Sequence, residues 1–198
     1  GIFINTAGIG VIPPGIEISG RNARPGDQVL ISGTMGDHGM AILASRGGLQ
    51  FSTTLQSDCA PLNGMVAGMI AASPGIRCLR DPTRGGLAGT LNEIARQSEA
   101  GIWVDEASIP VSDEVRGACE LLGFEPWHLA NEGKLVAIVD ASGADAVLDA
   151  MRADPLGRNA ARIGEVRKDS PGRVLLKTPI GSTRILDMIV GEPLPRIC

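Results

Sequence analysis

The chain contains no tyrosine, three phenylalanines and two tryptophans, so aromatic residues make up 3% of its 198 positions. Its core must therefore be packed by aliphatic side chains. Histidines number two and lie far apart, at His38 and His128. The four cysteines, Cys59, Cys78, Cys119 and Cys198, form no CxxC pair. These spacings argue against a zinc site and suggest reduced thiols in the cytoplasm. No apolar run approaches the roughly 18 residues of a membrane span, and no charged-then-apolar leader opens the chain. The net charge of -4 without clustered Lys and Arg argues against binding a nucleic-acid backbone.

What is present is ordinary for a globular protein: 43% apolar and 20% charged residues, with 27 glycines and 13 prolines. Such a glycine content suits tight backbone turns of the kind found in α/β enzymes with phosphate loops. The N-terminus reads as though it starts inside a strand, at Gly1-Ile2-Phe3-Ile4, so a fragment is expected. Strands are predicted over 28–32, 77–79, 102–104, 135–140, 162–166, 173–177 and 183–186. Helices are predicted over 40–46, 62–72, 87–97, 113–122 and 144–153, the third with Leu87, Leu91, Ile94 and Ala95 at helical spacing. Alternating strands and helices followed by a late run of strands indicate an α/β (α+β) domain with a mixed sheet. Three parts are expected: residues 1–20 as a remnant and linker, 21–187 as the domain, and 188–198 as an extended tail whose prolines exclude a helix.

Three glycine-containing turns are candidate anion sites at helix starts: residues 33–39, residues 81–86 and the stretch around Asn131-Glu132-Gly133. Amides converging at a helix N-terminus favour an anion. In the first turn Gly36, Asp37 and His38 are candidates to position a phosphate-bearing ligand, against the plainer reading of a tight connection. Neither a Walker loop nor a dinucleotide GxGxxG is present. Asp81-Pro82-Thr83-Arg84-Gly85-Gly86 is more specific, because a carboxylate, a hydroxyl and a guanidinium suit metal-bridged phosphate. Asp81 or Thr83 is alternatively a helix cap, which leaves Arg84, Gly85 and Gly86 unexplained. Glu132 precedes an apolar strand and reads on its own as an exposed turn residue. Cys59, Cys78 and Cys119 read as small buried hydrophobes, and His128 as structural. Cys198 ends Pro195-Arg196-Ile197-Cys198, where packing gives a thiol no role, so it is read as the reactive end of the chain.

Taken together, the turns at 33–39, 81–87 and 131–133, Ser57-Asp58-Cys59-Ala60-Pro61-Leu62 and the terminal Pro-Arg-Ile-Cys resemble the HypE family of hydrogenase expression/formation proteins. That family lies within the aminoimidazole ribonucleotide synthetase-like ATP-binding superfamily. The resemblance implies a layered α/β/α domain with a mixed sheet. It also implies [NiFe] hydrogenase maturation, in which a carbamoyltransferase, HypF, loads Cys198 with a carbamoyl group. ATP with Mg²⁺ then drives its dehydration to thiocyanate, and the cyanide passes to iron on a HypC–HypD complex. On the matching positions it makes Cys198 the carrier and Glu132 the base. Asp81, Thr83, Arg84, Gly85, Gly86, Gly36, Asp37, His38 and Asn131 become nucleotide contacts, and Asp81 a metal ligand. A homodimer is implied for the complete two-domain protein. Two competing readings are a non-catalytic carrier that docks maturation partners, and another member of the superfamily, such as a selenophosphate or thiamine-phosphate kinase, whose reaction has no use for a tail thiol.

Overall fold

The computed structural model describes residues 3–5, 7–46 and 54–189. Among them are seven strands: β1 Gln28–Ile31, β2 Ile76–Arg80, β3 Gly101–Asp105, β4 Val136–Val139, β5 Ala161–Arg167, β6 Val174–Lys177 and β7 Thr183–Ile185. Five α-helices accompany them: α1 Asp37–Ser45, α2 Asn63–Ala72, α3 Gly86–Ser98, α4 Asp113–Leu122 and α5 Ala144–Ala153. The strands form one mixed sheet in the order β2-β4-β1-β5-β3-β6-β7. Every neighbouring pair is antiparallel except β3 with β6.

The two-residue period of the strands sorts their side chains into two cores. Val29, Ile31, Val136 and Ile138 face α3, where they meet Leu87, Leu91 and Ile94. Leu30, Ala137 and Val139 face the other way, onto Met65 and Met69 of α2 and Val147 and Met151 of α5. The sheet is therefore a middle layer with helices on both faces, as the resemblance implied. A smaller cluster joins α1 to α4 through Met40, Val115, Ala118, Cys119 and Leu129.

Local chemistry sets the boundaries. Ser112 caps α4 by accepting from the Val115 amide at 3.4 Å, and Gly123 closes it in the left-handed region. Helix α1 starts at Asp37, ahead of the expected Met40, because left-handed Gly36 turns the chain one residue earlier. Neither Asp81 nor Thr83 caps α3; Gly85 occupies that position with no side-chain hydrogen bond. The turn around Asn131 leads into strand β4 and not into a helix, which removes the helix-dipole argument from that turn. Cys78 and Cys119 are buried as expected, but Cys59 is exposed, since it lies in the irregular segment before α2. Residues 3–5 and 7–12 carry no strand and expose Phe3, Ile4, Ile9 and Val11. The tail with Cys198 falls outside the described residues.

Candidate functional site

Strands β1 and β2 both run antiparallel to β4, so their C-terminal ends flank its start. Ile31 and Arg80 each pair with Val136. Consequently the turns after β1 and β2 and the turn before β4 emerge at one end of the sheet, although they are far apart in sequence. This gathering builds the site.

Asn131 stitches the three turns together. It is fully buried. Its Oδ1 accepts from the Gly36 amide at 2.8 Å, while its Nδ2 donates to the carbonyls of Pro82 and Leu129 at 3.3 and 3.1 Å. Its own amide donates to the Pro82 carbonyl at 3.0 Å. Both polar side-chain atoms of Asn131 are thus engaged within the protein. Gly86 makes the approach possible: with φ at 62°, a Cβ there would lie 2.6 Å from the carbonyl oxygens of Trp127 and Leu129.

A charged cluster lies beside this stitch. Lys134 Nζ sits 3.0 Å from Asp58 Oδ2 and 3.6 Å from Asp37 Oδ2, with the lysine side chain 11% and the Asp58 side chain 4% exposed. Asp58 Oδ1 also accepts from the amides of Glu132 and Gly133 at 2.9 and 3.3 Å. Asp37 takes further donors from the Thr34 hydroxyl and, at 3.4 Å, from the Ser112 hydroxyl. Gly133 carries the closest approach in the site, because a Cβ would stand 1.7 Å from the Asp58 carbonyl oxygen. Asp58, Lys134, Asp37 and Gly133 together fix the backbone on both sides of Glu132.

Glu132 is half-buried, and its Oε1 is closed off from solvent with no hydrogen-bond partner. His38, in the first turn of α1, is also buried. Its Nδ1 is 2.8 Å from Ser57 Oγ, whereas its Nε2 has no partner. An unpaired buried polar atom costs about 1–3 kcal/mol, so His38 and Glu132 are each candidates to meet a ligand. The remaining sequence candidates form a more open rim. Asp81 and Arg84 are exposed, and Thr83 and Gly85 are half-buried. Asp81 lies 3.6 Å from Arg80 Nε, with both side chains about half exposed, which contributes little to stability. Among the described residues no group of three or more His, Cys, Asp or Glu side chains could hold a metal ion. Asp81 alone does not make such a site, and no step is assigned to a metal.

Two residues of the cluster had no role in the sequence reading: Asp58, which entered only within a motif of the resemblance, and Lys134. The pair is 76 residues apart. Their only local signal was a charge placed directly beside an apolar strand, at Lys134, and a Ser-Asp pair in a turn.

Residues 24–177 match the family model of the AIR synthase related protein, C-terminal domain. The carbamoyl dehydratase HypE of Cupriavidus necator is 58% identical over all 198 residues, a match covering 56% of that protein. The chain thus spans a little over half the length of the curated relatives it matches. A crystal structure of the hydrogenase maturation protein HypE in complex with ATP superposes with a TM-score of 0.86 at 48% identity, covering 91% of this chain and 55% of that one. A crystal structure of a HypE–HypF complex gives 0.83 at 45% identity, covering 87% and 56%. Among the described residues no helix is long and apolar enough to cross a membrane.

Proposed function

The chain belongs to the AIR synthase related family through its C-terminal domain, and from that premise we propose that it forms part of an ATP-dependent carbamoyl dehydratase of [NiFe] hydrogenase maturation. In this reading Cys198 carries an S-carbamoyl group delivered by HypF. The carbamoyl oxygen attacks the γ-phosphorus of ATP and ADP leaves, turning a poor leaving group into phosphate. Loss of both N–H protons with departure of phosphate then leaves S–C≡N. The cyanide goes on to iron on HypC–HypD. The complete protein works as a dimer in the cytoplasm.

The observation that carries the reading is the buried, unpartnered Oε1 of Glu132, held on a backbone that Asp58 and Asn131 fix from both sides. A carboxylate with one oxygen buried and unpartnered is available as a base at the carbamoyl nitrogen. The rim supports the rest. Gly36 and Gly85 stand at the N-termini of α1 and α3, and a helix N-terminus favours phosphate oxygens. Asp81, Thr83 and Arg84 stand around them, with Arg84 supplying a guanidinium fork for phosphate oxygens. Mg²⁺ would reach this place on the nucleotide, since the rim offers it only Asp81.

The test is the intact mass of the protein carrying this chain at full length, incubated with HypF, carbamoyl phosphate and ATP. The expected sequence is a carbamoyl adduct followed by the loss of one water, with Cys198→Ala showing neither. An adduct and water loss that persist in Cys198→Ala would refute the assignment of the thiol.

A further inference from the structure

Strand β7 points the chain away from the site. It is antiparallel to β6, with Thr183 on Lys177 and Ile185 on Leu175. Strand β6 is parallel to β3, which is antiparallel to β5, itself antiparallel to β1. So β7 begins at the end of the sheet that carries the turns and runs towards the other end. The residues after it lead to the tail, and two side chains hold them. Leu186 is buried; its amide donates to the Val174 carbonyl at 2.9 Å, and its carbonyl accepts from Asn92 Nδ2 at 2.7 Å. The next carbonyl, that of Asp187, lies 3.2 Å from His128 Nε2. A carbonyl has no proton to give, so Nε2 carries the hydrogen and donates it.

The two anchors sit at different heights along α3. Asn92 belongs to the second turn of that helix, about 9 Å in from Gly86. The backbone of His128 instead walls Gly86 itself, where a Cβ would stand 2.8 Å from the His128 carbonyl carbon. His128 is braced in turn. Its Nδ1 is 3.4 Å from Glu125 Oε2, which also accepts from Trp127 Nε1 at 2.9 Å. The other oxygen of Glu125 pairs with Arg184 of β7, whose guanidinium lies 5.4 Å from the centre of the Trp127 ring. The turn over residues 125–128 thus grips both β7 and the residue that follows Leu186.

We infer that His128 is a positioning residue for the root of the C-terminal tail: by holding Asp187 it turns the chain back towards the N-terminus of α3. That the tail then serves the turns at this end of the sheet rests on the dehydratase reading above; the grip on Asp187 does not. With the Asp187 carbonyl released, the chain is free to continue in the heading of β7, away from Gly85 and Gly86. Residues 190–198 add at most about 30 Å of reach. A short tether loses effective concentration at its target when its root points elsewhere.

The experiment compares wild type, His128→Ala and His128→Gln in the protein carrying this chain at full length. Three quantities are read: exchange of the Leu186 amide by peptide-resolved hydrogen exchange, the urea midpoint, and conversion of the HypF-loaded adduct by intact mass at saturating ATP. For His128→Ala the Leu186 amide should exchange about 5- to 10-fold faster, and conversion should slow about threefold or more. His128→Gln offers an N–H to the same carbonyl and should restore both, whatever the urea midpoints of the two variants. The inference is overturned if His128→Ala leaves Leu186 exchange at the wild-type rate, because Asp187 is then not held by His128. It is equally overturned if exchange rises while conversion keeps pace with wild type, or if glutamine restores neither, because the loss then belongs to packing of the turn. If wild type itself converts no adduct, the dehydratase reading falls and takes the tail's destination with it, and exchange alone upholds or overturns the grip on Asp187.

Discussion

Replacing Asp58 by alanine removes three interactions at once from a side chain that is 4% exposed: the Lys134 ammonium at 3.0 Å and the amides of Glu132 and Gly133 at 2.9 and 3.3 Å. Breaking a buried pair by deleting one partner costs about 3–5 kcal/mol, mostly because the other charge is left stranded. Lys134 keeps Asp37 at 3.6 Å and some access to water, so the lower end, about 3 kcal/mol, is expected. For a chain of this size that corresponds to roughly 6–12 °C in Tm. Urea denaturation followed by circular dichroism reads the change as a shift in midpoint at constant slope. The double variant Asp58→Ala/Lys134→Met removes the stranded charge as well and should lose less than the sum of the singles, with a coupling of about 1–3 kcal/mol. A loss under about 1 kcal/mol for Asp58→Ala, with additive singles, would reduce the cluster to an ordinary surface ion pair and refute its role in fixing Glu132.

Other outcomes follow from single features. Gly133→Ala forces a Cβ against the Asp58 carbonyl, which no side-chain rotation can relieve; a loss of stability of about 1–3 kcal/mol is expected from urea titration. Burial pushes the Glu125 carboxyl up, but hydrogen bonds from Arg184 and from Trp127 Nε1 outweigh it and hold it below its ordinary 4.5. A depressed folded value means that the pair's stabilisation is present above about pH 4.5 and is lost as the pH falls through the folded value. Glu125→Gln should therefore flatten the acid limb of a stability-pH curve below that point and lower the plateau above it. Burial raises the Cys78 and Cys119 thiols to about 11. In the folded chain iodoacetamide should thus modify exposed Cys59 while sparing those two, which react only after unfolding, as peptide mass mapping would show.

Much of the fold was legible because helical and strand periods survive in the apolar pattern. Helices α4 and α5 have the expected limits, since Ser112 and Gly123 bracket the first and Val147, Leu148 and Met151 at helical spacing carry the second. The mixed sheet followed from the late strands. Where the reading departed, tertiary context decided. Gly36 started α1 early through a left-handed turn, and no side chain was needed to cap α3. Cys59 is exposed because the segment before α2 is irregular, which an apolar-looking residue type does not reveal. The site was half legible. Glycines and charged residues in turns stood out locally, and only the resemblance implied a base at Glu132, which on its own reads as an exposed turn residue. The Asp58–Lys134 pair and the His38–Ser57 contact were not visible, because the segment before α2 meets α1 and the turn before β4 only in three dimensions. Asn131 shows the same thing from inside the site, as its contacts reach Gly36 and Pro82, 95 and 49 residues away.

The most direct test of the account is a single-turnover reaction of the carbamoylated full-length protein with ATP, comparing wild type with Glu132→Gln by intact mass. The glutamine keeps the shape and the Asp58-held amide but lacks a proton-accepting carboxylate. The account predicts that wild type loses one water from its adduct while Glu132→Gln, still folded and still binding ATP, retains the carbamoyl group with conversion slowed about 100-fold or more. Conversion of Glu132→Gln at the wild-type rate would contradict it.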